Sequence, residues 1–256
     1  MGKKYILFLG FVMLHFIFNS CKVNQQEEKK ELLIYCGITM IRPMTEIKQI
    51  IEKQENCHIE ISKGGSGNLL NAIEQNGVGD LYLPGSESYI YTAFKKGIIT
   101  DTATVGHNKL AVIVQKGNPL NIKAEIQSLT SKDYYVVIGN PSSGSVGKAT
   151  KKLLVSEGVF QEVEQNAIRF TTDSKDLSMA IINDEADIVI NWYATYTWDN
   201  NSEFMDVLNV PGLENTKKKL ILAQLKSSNH PEISRKIIAY AISPEGQAIF
   251  KKHGFK

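Results

Sequence analysis

Residues 32–47, LLIYCGITMIRPMTEI, contain the pattern that decides the fold. An apolar run at residues 32–35 predicts a short strand, and residues 44–54 carry apolar side chains at helical spacing. Between the two lies a short turn that contains Gly37 and Thr39. Such a turn presents backbone N–H groups and a hydroxyl donor at the positive end of a helix dipole, which favours the binding of a small anion.

Three further apolar runs end in turns of similar composition. They are residues 58–62 before KGGSG at 63–67, residues 81–83 before PGS at 84–86, and residues 135–139 before NPSSGS at 140–145. Strands that alternate with helices predict right-handed βαβ units and mainly parallel sheets, in which ligands lie beyond the carboxyl ends of the strands. All four turns fall at such ends. The sequence therefore predicts one shared pocket for an anion, held mainly by uncharged donors.

The composition is that of a globular protein with balanced charge. The 256 residues allow one large domain or two lobes of about 100 residues each. Two of the 29 basic residues, Lys3 and Lys4, lie ahead of Cys21, and the remainder has 27 basic and 27 acidic side chains. This balance argues against nucleic acid as the main partner, because binding to the phosphate backbone needs a basic face.

The first 20 residues predict a signal peptide. Lys3 and Lys4 precede an apolar stretch at 5–18 that is too short to span a membrane. Cys21 follows the small Ser20, and this junction resembles the lipidation site of a bacterial lipoprotein, with residues 21–30 as a polar tether. The alternative is an ordinary secretion signal with an incidental cysteine. Either interpretation predicts a periplasmic or other extracytoplasmic location in the cell envelope.

Neither a metal site nor a catalytic site is predicted. If the first two strands are parallel neighbours, Cys36 and Cys57 lie at opposite ends of the sheet, beyond the ~7 Å between Cα atoms that a disulfide allows. We therefore expect two buried free thiols. No histidine cluster accompanies them, so no metal or cofactor is expected. The chain lacks a G-x-S-x-G elbow, and no histidine has a recognisable catalytic setting beside an acid, so we expect a protein that is not an enzyme.

Five segments, in order, resemble one family. After the opening stretch they are GDLYLPGSESYI at 79–90, HNKLAVIVQKGNP at 107–119, EADIVINWYAT at 185–195 and SPEGQAIFKKHGF at 243–255. Over residues 32–255 the chain resembles the molybdate/tungstate-type substrate-binding proteins of ABC transporters, within the periplasmic binding protein superfamily. The last segment, with its serine-proline-glutamate start and its glycine-phenylalanine end, is the most specific of the five.

The resemblance implies an α/β fold of two lobes, each a mainly parallel sheet flanked by helices, joined by a two-strand hinge. Lobe 1 would comprise residues 31–105 and 209–256, and lobe 2 residues 106–208. Closure of the lobes around the ligand would create the form that an ABC permease in the membrane recognises. The implied ligand is a small inorganic oxyanion, molybdate or tungstate first. Sulfate, phosphate, a small organic acid, and a ligand sensor without transport are the alternatives.

The resemblance also implies the residues that bind the ligand. The hydroxyl donors would be Thr39 and Ser66, although both could instead be helix caps. Backbone donors would come from the turn at Gly85 and from the helix start at Ser145 and Val146.

An aromatic donor falls at Trp192 or Tyr193, with the choice left open. Arg42 departs from the family pattern, since a cation is rare in this turn. It is either a solvated side chain or a partner for a carboxylate or sulfonate on a different ligand. The basic run at residues 217–219 is interpreted as a solvated face.

Overall fold

Ten strands form two five-stranded sheets in residues 29–198 and 200–255, the part of the chain that the computed structural model describes. The strands are β1 (Lys30–Gly37), β2 (Cys57–Gly64), β3 (Leu81–Leu83), β4 (Ile99–Asn108), β5 (Leu110–Gln115), β6 (Val136–Gly139), β7 (Ala167–Thr171), β8 (Ile188–Trp192), β9 (Met205–Leu208) and β10 (Lys218–Leu225). The predicted signal peptide, the lipidation site at Cys21 and nearly all of the predicted tether lie outside the described residues.

Nine α-helices and four 3₁₀ turns connect these strands within the described residues. The helices are α1 (Ile41–Glu55), α2 (Ser66–Asn76), α3 (Glu87–Lys95), α4 (Ser145–Ser156), α5 (Phe160–Asn166), α6 (Ser174–Ile182), α7 (Asn201–Phe204), α8 (Pro231–Ile242) and α9 (Pro244–Lys252). The 3₁₀ turns are Ile38–Met40, Ile126–Thr130, Tyr193–Thr195 and Leu213–Thr216. None of the helices in the described part of the chain is long and apolar enough to cross a membrane.

The two sheets have the same mixed design. In the first sheet, ordered β2-β1-β3-β10-β4, β1 pairs in parallel with β2 and β3, whereas β10 is antiparallel to β3 and β4. In the second, ordered β7-β6-β8-β5-β9, β6 pairs in parallel with β7 and β8, whereas β5 is antiparallel to β8 and β9. The two-lobed α/β fold is confirmed, but half of the strand pairings are antiparallel.

The antiparallel pairings have a topological cause. The chain passes from the first sheet to the second between β4 and β5, with only Lys109 between them, and returns between β9 and β10. β5 and β10 are therefore the first strands after each crossing, and every antiparallel pairing involves one of them. A strand that arrives from the other sheet is not fixed in direction by a helical crossover, which is the connection that makes neighbouring strands parallel.

Local sequence explains where the helices begin and end. In α1, Met44, Ile47 and Ile51 are buried against the first sheet, and Asn56 ends the helix in the left-handed conformation with φ of 47°. The last helix, α9, is capped by Ser243, whose Oγ accepts a hydrogen bond from the Gly246 N–H at 3.1 Å. Capping by serine with proline in the first turn is a standard way to start a helix.

Cys36 and Cys57, the two cysteines among the described residues, are buried free thiols, as the sequence predicted. In the parallel pair of β1 and β2, Cys36 lies opposite Lys63 and Cys57 lies opposite Lys30, so the thiols are at opposite ends of the strands. Burial raises the pKa of the Cys36 thiol far above its usual range, which keeps it protonated and chemically inert.

Candidate functional site

A small cavity lies between the two sheets, at the carboxyl ends of their parallel strands. It measures about 10 Å³, close to the space that one water molecule needs by the same measure. All four turns that the sequence singled out contribute to its wall. The lining residues from the first lobe are Gly37, Ile38, Thr39, Gly64, Gly65, Ser66 and Gly85, and those from the second are Gly144, Ser145, Val146, Asp173, Ser174 and Trp192.

Three helices begin at this cavity. α2 starts at Ser66, α4 at Ser145 and α6 at Ser174, and all three residues line the wall. The first N–H groups of a helix have no acceptor within the helix, and the helix dipole places partial positive charge there. None of the described residues that line the cavity is a lysine, arginine or histidine. Backbone dipoles are therefore the source of positive charge at the cavity, and the carboxylate of Asp173 opposes them.

The Ser66 side chain is held so that its hydroxyl hydrogen is available. Ser66 is 2% exposed, and its Oγ accepts a hydrogen bond from the Gly85 N–H at 2.9 Å. Its carbonyl oxygen accepts a second bond from the Tyr82 hydroxyl at 2.7 Å, which fixes the start of α2. The Gly85 N–H, predicted as a ligand donor, is thus engaged with Ser66. Among the described residues the Ser66 hydroxyl donates to no acceptor, so its hydrogen remains for a ligand.

Ser145 repeats this arrangement in the second lobe. Its Oγ accepts a hydrogen bond from the Trp192 Nε1–H at 3.3 Å, and Trp192 itself is 1% exposed. The indole N–H therefore orients the Ser145 hydroxyl. Ser145 also meets the first lobe, because a Cβ atom added at Gly85 would lie only 2.3 Å from the Ser145 Oγ. Glycine at position 85 lets the two lobes approach this closely.

Neither Thr39 nor Ser66 acts as a helix cap. Thr39 lies buried within the first 3₁₀ turn, and its hydroxyl donates to the Met40 sulfur at 2.9 Å, a bond that donation to a ligand would replace. Ser66 is the first residue of α2, whose cap position is Gly65, and no side chain of the described residues caps that helix. The alternative interpretation of these hydroxyls as local caps is therefore wrong.

Two of the predicted binding residues lie elsewhere. The Tyr193 ring is 4.3 Å from the Lys109 Nζ and lines a separate cavity near the crossing between the sheets. The Arg42 guanidinium carbon lies 5.4 Å from the centre of the Trp198 ring. Neither residue contributes to the wall of the small cavity, so Trp192 is the aromatic residue that faces it.

The sequence analysis missed Asp173 and Ser174. They follow β7 and form a fifth polar turn at the cavity. The Asp173 Oδ1 accepts hydrogen bonds from the N–H groups of Lys175 at 2.8 Å and Asp176 at 3.1 Å, which caps α6. The signal was the polar run TTDS at residues 171–174. It was not recognised because the strand before it, β7, with the sequence AIRFT, was not predicted.

The two lobes also touch through their backbones beside the cavity. The Gly67 N–H donates to the Ser143 carbonyl oxygen at 3.0 Å. A Cβ atom at Gly65 would lie 2.7 Å from the carbonyl oxygens of both Ser143 and Thr172. We call this contact, between residues 65–67 of one lobe and Ser143 and Thr172 of the other, the turn interlock. It joins the two lobes through a backbone hydrogen bond and close backbone contacts.

Comparison with known proteins is consistent with this architecture. The sequence model of the bacterial extracellular solute-binding protein family matches residues 32–256. A Haemophilus influenzae protein described as a binding protein is 22% identical over 227 residues, which cover 88% of this chain and 90% of that protein.

Two solved structures have closely similar folds. The periplasmic molybdate-binding protein of Azotobacter vinelandii has a TM-score of 0.72 and 16% identity, covering 88% of this chain and 98% of that one. A periplasmic thiamin binding protein has a TM-score of 0.76 and 15% identity, covering 89% and 82%. At these identities the likeness concerns the fold alone, and the two proteins bind different ligands.

Proposed function

The chain belongs to the bacterial extracellular solute-binding protein family, the extracytoplasmic binding components of ABC transporters, and we propose that it captures a tetrahedral oxyanion, molybdate or tungstate first. Members of this family bind solutes, and the expectation that this chain is not an enzyme stays a prediction. The proposed ligand residues are Thr39, Ser66, Ser145 and Val146, with Trp192 and Gly85 as the groups that orient the two serines. Tyr193 and Arg42, which lie outside the cavity wall, are not included.

One observation carries the proposal: two buried serines face each other across the cavity, each with its oxygen already accepting an N–H. Ser66 accepts from Gly85 and Ser145 accepts from Trp192. One lone pair of each oxygen is then occupied, and each hydroxyl hydrogen is available for donation to the ligand. A fully ionised anion such as molybdate, tungstate or sulfate needs donors only, so the pairing suits that class of ligand.

The cavity has to open slightly for any of the proposed ligands. It measures about 10 Å³, the space of about one water molecule, whereas pockets for organic molecules of drug size measure about 300–1,000 Å³. A compact ion requires a smaller displacement of the lobes than a ligand of thiamin size. Of the two structural neighbours, the molybdate-binding protein is therefore the better guide to the ligand.

The hydrogen bonds available are sufficient for tight capture. Bonds to a charged group contribute about 1.5–3 kcal/mol each, so about six of them supply about 9–18 kcal/mol. Lobe closure and the lost freedom of the ligand offset several kcal/mol. A remainder of about −8 to −11 kcal/mol corresponds to dissociation constants from about micromolar to nanomolar.

Phosphate is the second candidate, and Asp173 is the observation that favours it. At neutral pH hydrogen phosphate carries a proton that needs an acceptor. Asp173 is the one carboxylate among the described residues that line the cavity, and its Oδ1 is occupied by two N–H groups of α6. Its second oxygen is the acceptor that such a proton would require.

Calorimetric titration with molybdate, tungstate, sulfate and phosphate tests the proposal. We expect Thr39→Ala and Ser66→Ala each to weaken binding of the preferred anion at least about tenfold, the equivalent of one lost charged hydrogen bond. Ser142→Ala is the matched control, because this exposed serine belongs to the turn before α4 but does not line the cavity. Unchanged affinity in both variants, or no binding of any of the four anions, would contradict the proposal.

We also propose delivery to an ABC permease from an extracytoplasmic position. Residues 1–20 would be removed as a signal peptide, Cys21 would carry the lipid, and residues 21–30 would tether the binding domain. Within that domain, residues 31–105 with 209–256 form the proposed lobe 1 and residues 106–208 the proposed lobe 2. The separate sheets on either side of the two crossings support this division.

The mass of the mature N-terminal peptide tests the anchor, because lipidated Cys21 is heavier than the free residue by its acyl chains. A Cys21→Ser variant that is released into the soluble fraction would support anchoring. If the Cys21 peptide carries no modification, the protein is secreted without a lipid anchor. The alternative to delivery is a protein that senses the anion without transporting it. Deletion of the gene separates the two, because only delivery predicts a loss of anion uptake.

A further inference from the structure

A fully buried asparagine lies in the second sheet, directly before Trp192. It belongs to β8, which reads IVINW and is buried along its whole length. β8 lies between β6 and β5, and a strand that is buried on both faces is expected to carry apolar side chains throughout. Asn191 is 0% exposed and breaks that pattern. A residue that departs from a local rule of this kind is a candidate for a role in function rather than in packing.

The side-chain amide of Asn191 is fully hydrogen-bonded. Its Nδ2 donates to the Ser174 carbonyl oxygen at 2.9 Å and to the Ser178 Oγ at 3.2 Å. Its Oδ1 accepts from the backbone N–H of Trp192 at 2.8 Å. An asparagine amide has two N–H donors and one carbonyl oxygen, so each of these groups has a partner. The bonds offset the cost of burying an amide and hold it in one orientation.

Two of the partners of Asn191 belong to the wall of the oxyanion cavity. Ser174 begins α6, Trp192 ends β8, and both residues line the cavity. The Ser174 carbonyl oxygen is held a second time, by the Ser178 hydroxyl at 3.1 Å. Asn191 itself does not line the cavity. It therefore joins two separate pieces of the wall from behind.

One of these pieces leads on to a proposed ligand residue. Asn191 holds the backbone of Trp192, and the Trp192 Nε1–H donates to the Ser145 Oγ at 3.3 Å. The position of the indole ring depends on the backbone that carries it. Hydrogen-bonded support behind a binding residue keeps that residue in its productive geometry. The Ser145 hydroxyl is thus connected to the Asn191 amide by a single residue.

We propose that Asn191 is a positioning residue of the oxyanion site. It fixes the start of α6 and the backbone of Trp192 as one unit, and through the indole it sets the position in which the Ser145 hydroxyl meets the anion. This inference rests on the proposed function, because it requires an oxyanion in the cavity. The contribution of Asn191 is preorganisation, since the residue does not touch the ligand.

Calorimetric titration of the mature protein with molybdate, tungstate, sulfate and phosphate tests this role. Asn191→Leu keeps a side chain of similar size and restores the apolar pattern of β8. We expect it to weaken binding of the preferred anion about fivefold or more, because the support of two wall segments is lost. Asn191→Ala is the second variant, since its small side chain fits wherever asparagine does, and it should weaken binding by a similar factor.

Asn166→Leu is the matched control. Asn166 lies in the same lobe, and its Nδ2 also donates to backbone carbonyl oxygens, those of Leu129 at 3.0 Å and Ser131 at 2.7 Å. None of these three residues lines the oxyanion cavity. The control variant should therefore lower the urea midpoint of the ligand-free protein and leave the anion affinity within about twofold of the wild type.

A double-mutant cycle with Ser145→Ala separates positioning from a general loss of structure. In the Ser145→Ala background, Asn191→Leu should weaken binding about twofold or less, because the hydroxyl that it positions is absent. Unchanged affinity in both Asn191 variants, an equal loss in Asn166→Leu, or the same factor in both backgrounds would each overturn the role of Asn191 alone. A wild-type protein that binds none of the four anions would overturn the proposed function and this inference with it.

Discussion

At the scale of single residues, the serine pairs explain how a cavity without cations can hold a dianion. A free serine hydroxyl rotates among several acceptors and must lose that freedom when a ligand binds. Ser145 has lost most of it already, because the Trp192 indole N–H occupies one lone pair of its oxygen at 3.3 Å. Preorganisation of this kind raises affinity by lowering the cost of binding rather than by adding contacts. Trp192 is therefore a positioning residue in the proposed site.

Trp192→Phe should weaken oxyanion binding roughly threefold to tenfold, since it removes one neutral hydrogen bond while it keeps an aromatic ring. The substitution also leaves a gap in the core, so some loss of stability is expected in addition. A double-mutant cycle with Ser145→Ala, measured by calorimetry with molybdate, isolates the orienting effect. In the Ser145→Ala background, Trp192→Phe should cost little further affinity. An equal loss in both backgrounds would show that Trp192 acts independently of Ser145.

At the scale of elements, the turn interlock sets how closely the lobes can approach. It places Gly65 and Gly67 against two carbonyl oxygens of the second lobe, with one hydrogen bond from the Gly67 N–H to the Ser143 oxygen. A carbonyl oxygen in a turn has little freedom to move away. The interlock therefore requires glycine at residue 65, because a larger side chain has no room beside these oxygens. We expect the contribution of the interlock to affinity to be the same for every anion.

Gly65→Ala should hold the lobes apart. It should weaken the binding of every anion by about tenfold or more and leave the order of preference among the anions unchanged. The reason is overlap of the new methyl group with backbone atoms 2.7 Å away, and overpacking of this kind typically costs about 1–3 kcal/mol. Small-angle scattering of the loaded protein should give a larger radius of gyration than the wild type.

Ser142→Ala is the control for this substitution, because it alters the partner turn without adding an atom between the lobes and does not line the cavity. We expect affinity within about twofold of the wild type. If Gly65→Ala closes and binds as tightly as Ser142→Ala, the interlock has no part in closure.

Elements with continuous apolar runs were predictable from the sequence. Among those with mixed patterns, β2 was predicted from residues 58–62, whereas β7 and β10 were not. The runs at residues 32–35 and 81–83 correspond to β1 and β3, since both strands are buried at their centre and need apolar side chains throughout. β10 was missed because it begins in the lysine run that was interpreted as a solvated face. Lys218 and Lys219 do remain at least partly exposed, while the strand becomes buried from Leu220 onward.

The same reasoning applies to the candidate site. Residues 39, 66, 85 and 145 were found because each lies in a polar turn directly after an apolar run, and the fold brings those turns together. Asp173 was missed because the strand that precedes it, β7, is short and was not predicted. The engagement of Gly85 with Ser66, and of Trp192 with Ser145, depends on side-chain geometry between distant segments, which no local pattern encodes.

At the scale of the whole molecule, the first sheet is assembled from both ends of the described chain. β1 and α1 come from its beginning, and β10, α8 and α9 from its end, and these elements share one hydrophobic core. Glu46 on α1 joins the two ends at the surface. Its Oε1 lies 2.9 Å from the Lys252 Nζ and 2.6 Å from the His253 Nε2, more than 200 residues away in the sequence. Solution pH therefore affects the contact between the two chain ends through the ionisation of Glu46.

Glu46→Gln should therefore make the stability of the protein less dependent on pH in the acid range. Hydrogen bonds from Lys252 and then His253 lower the pKa of the Glu46 carboxyl in the folded state. The stabilisation is fully present above the pKa of the unfolded chain and is lost as pH falls through the lower pKa of the folded state. Because Lys252 is largely exposed, we expect Glu46 to contribute at most about 1 kcal/mol to the free energy of unfolding at neutral pH.

Urea unfolding at about pH 7 and about pH 3 measures this contribution, with Glu60→Gln, which changes an exposed carboxylate on β2, as the control. A gap between wild type and Glu46→Gln that stays constant across this range would mean that ionisation of Glu46 does not stabilise the junction of the two chain ends.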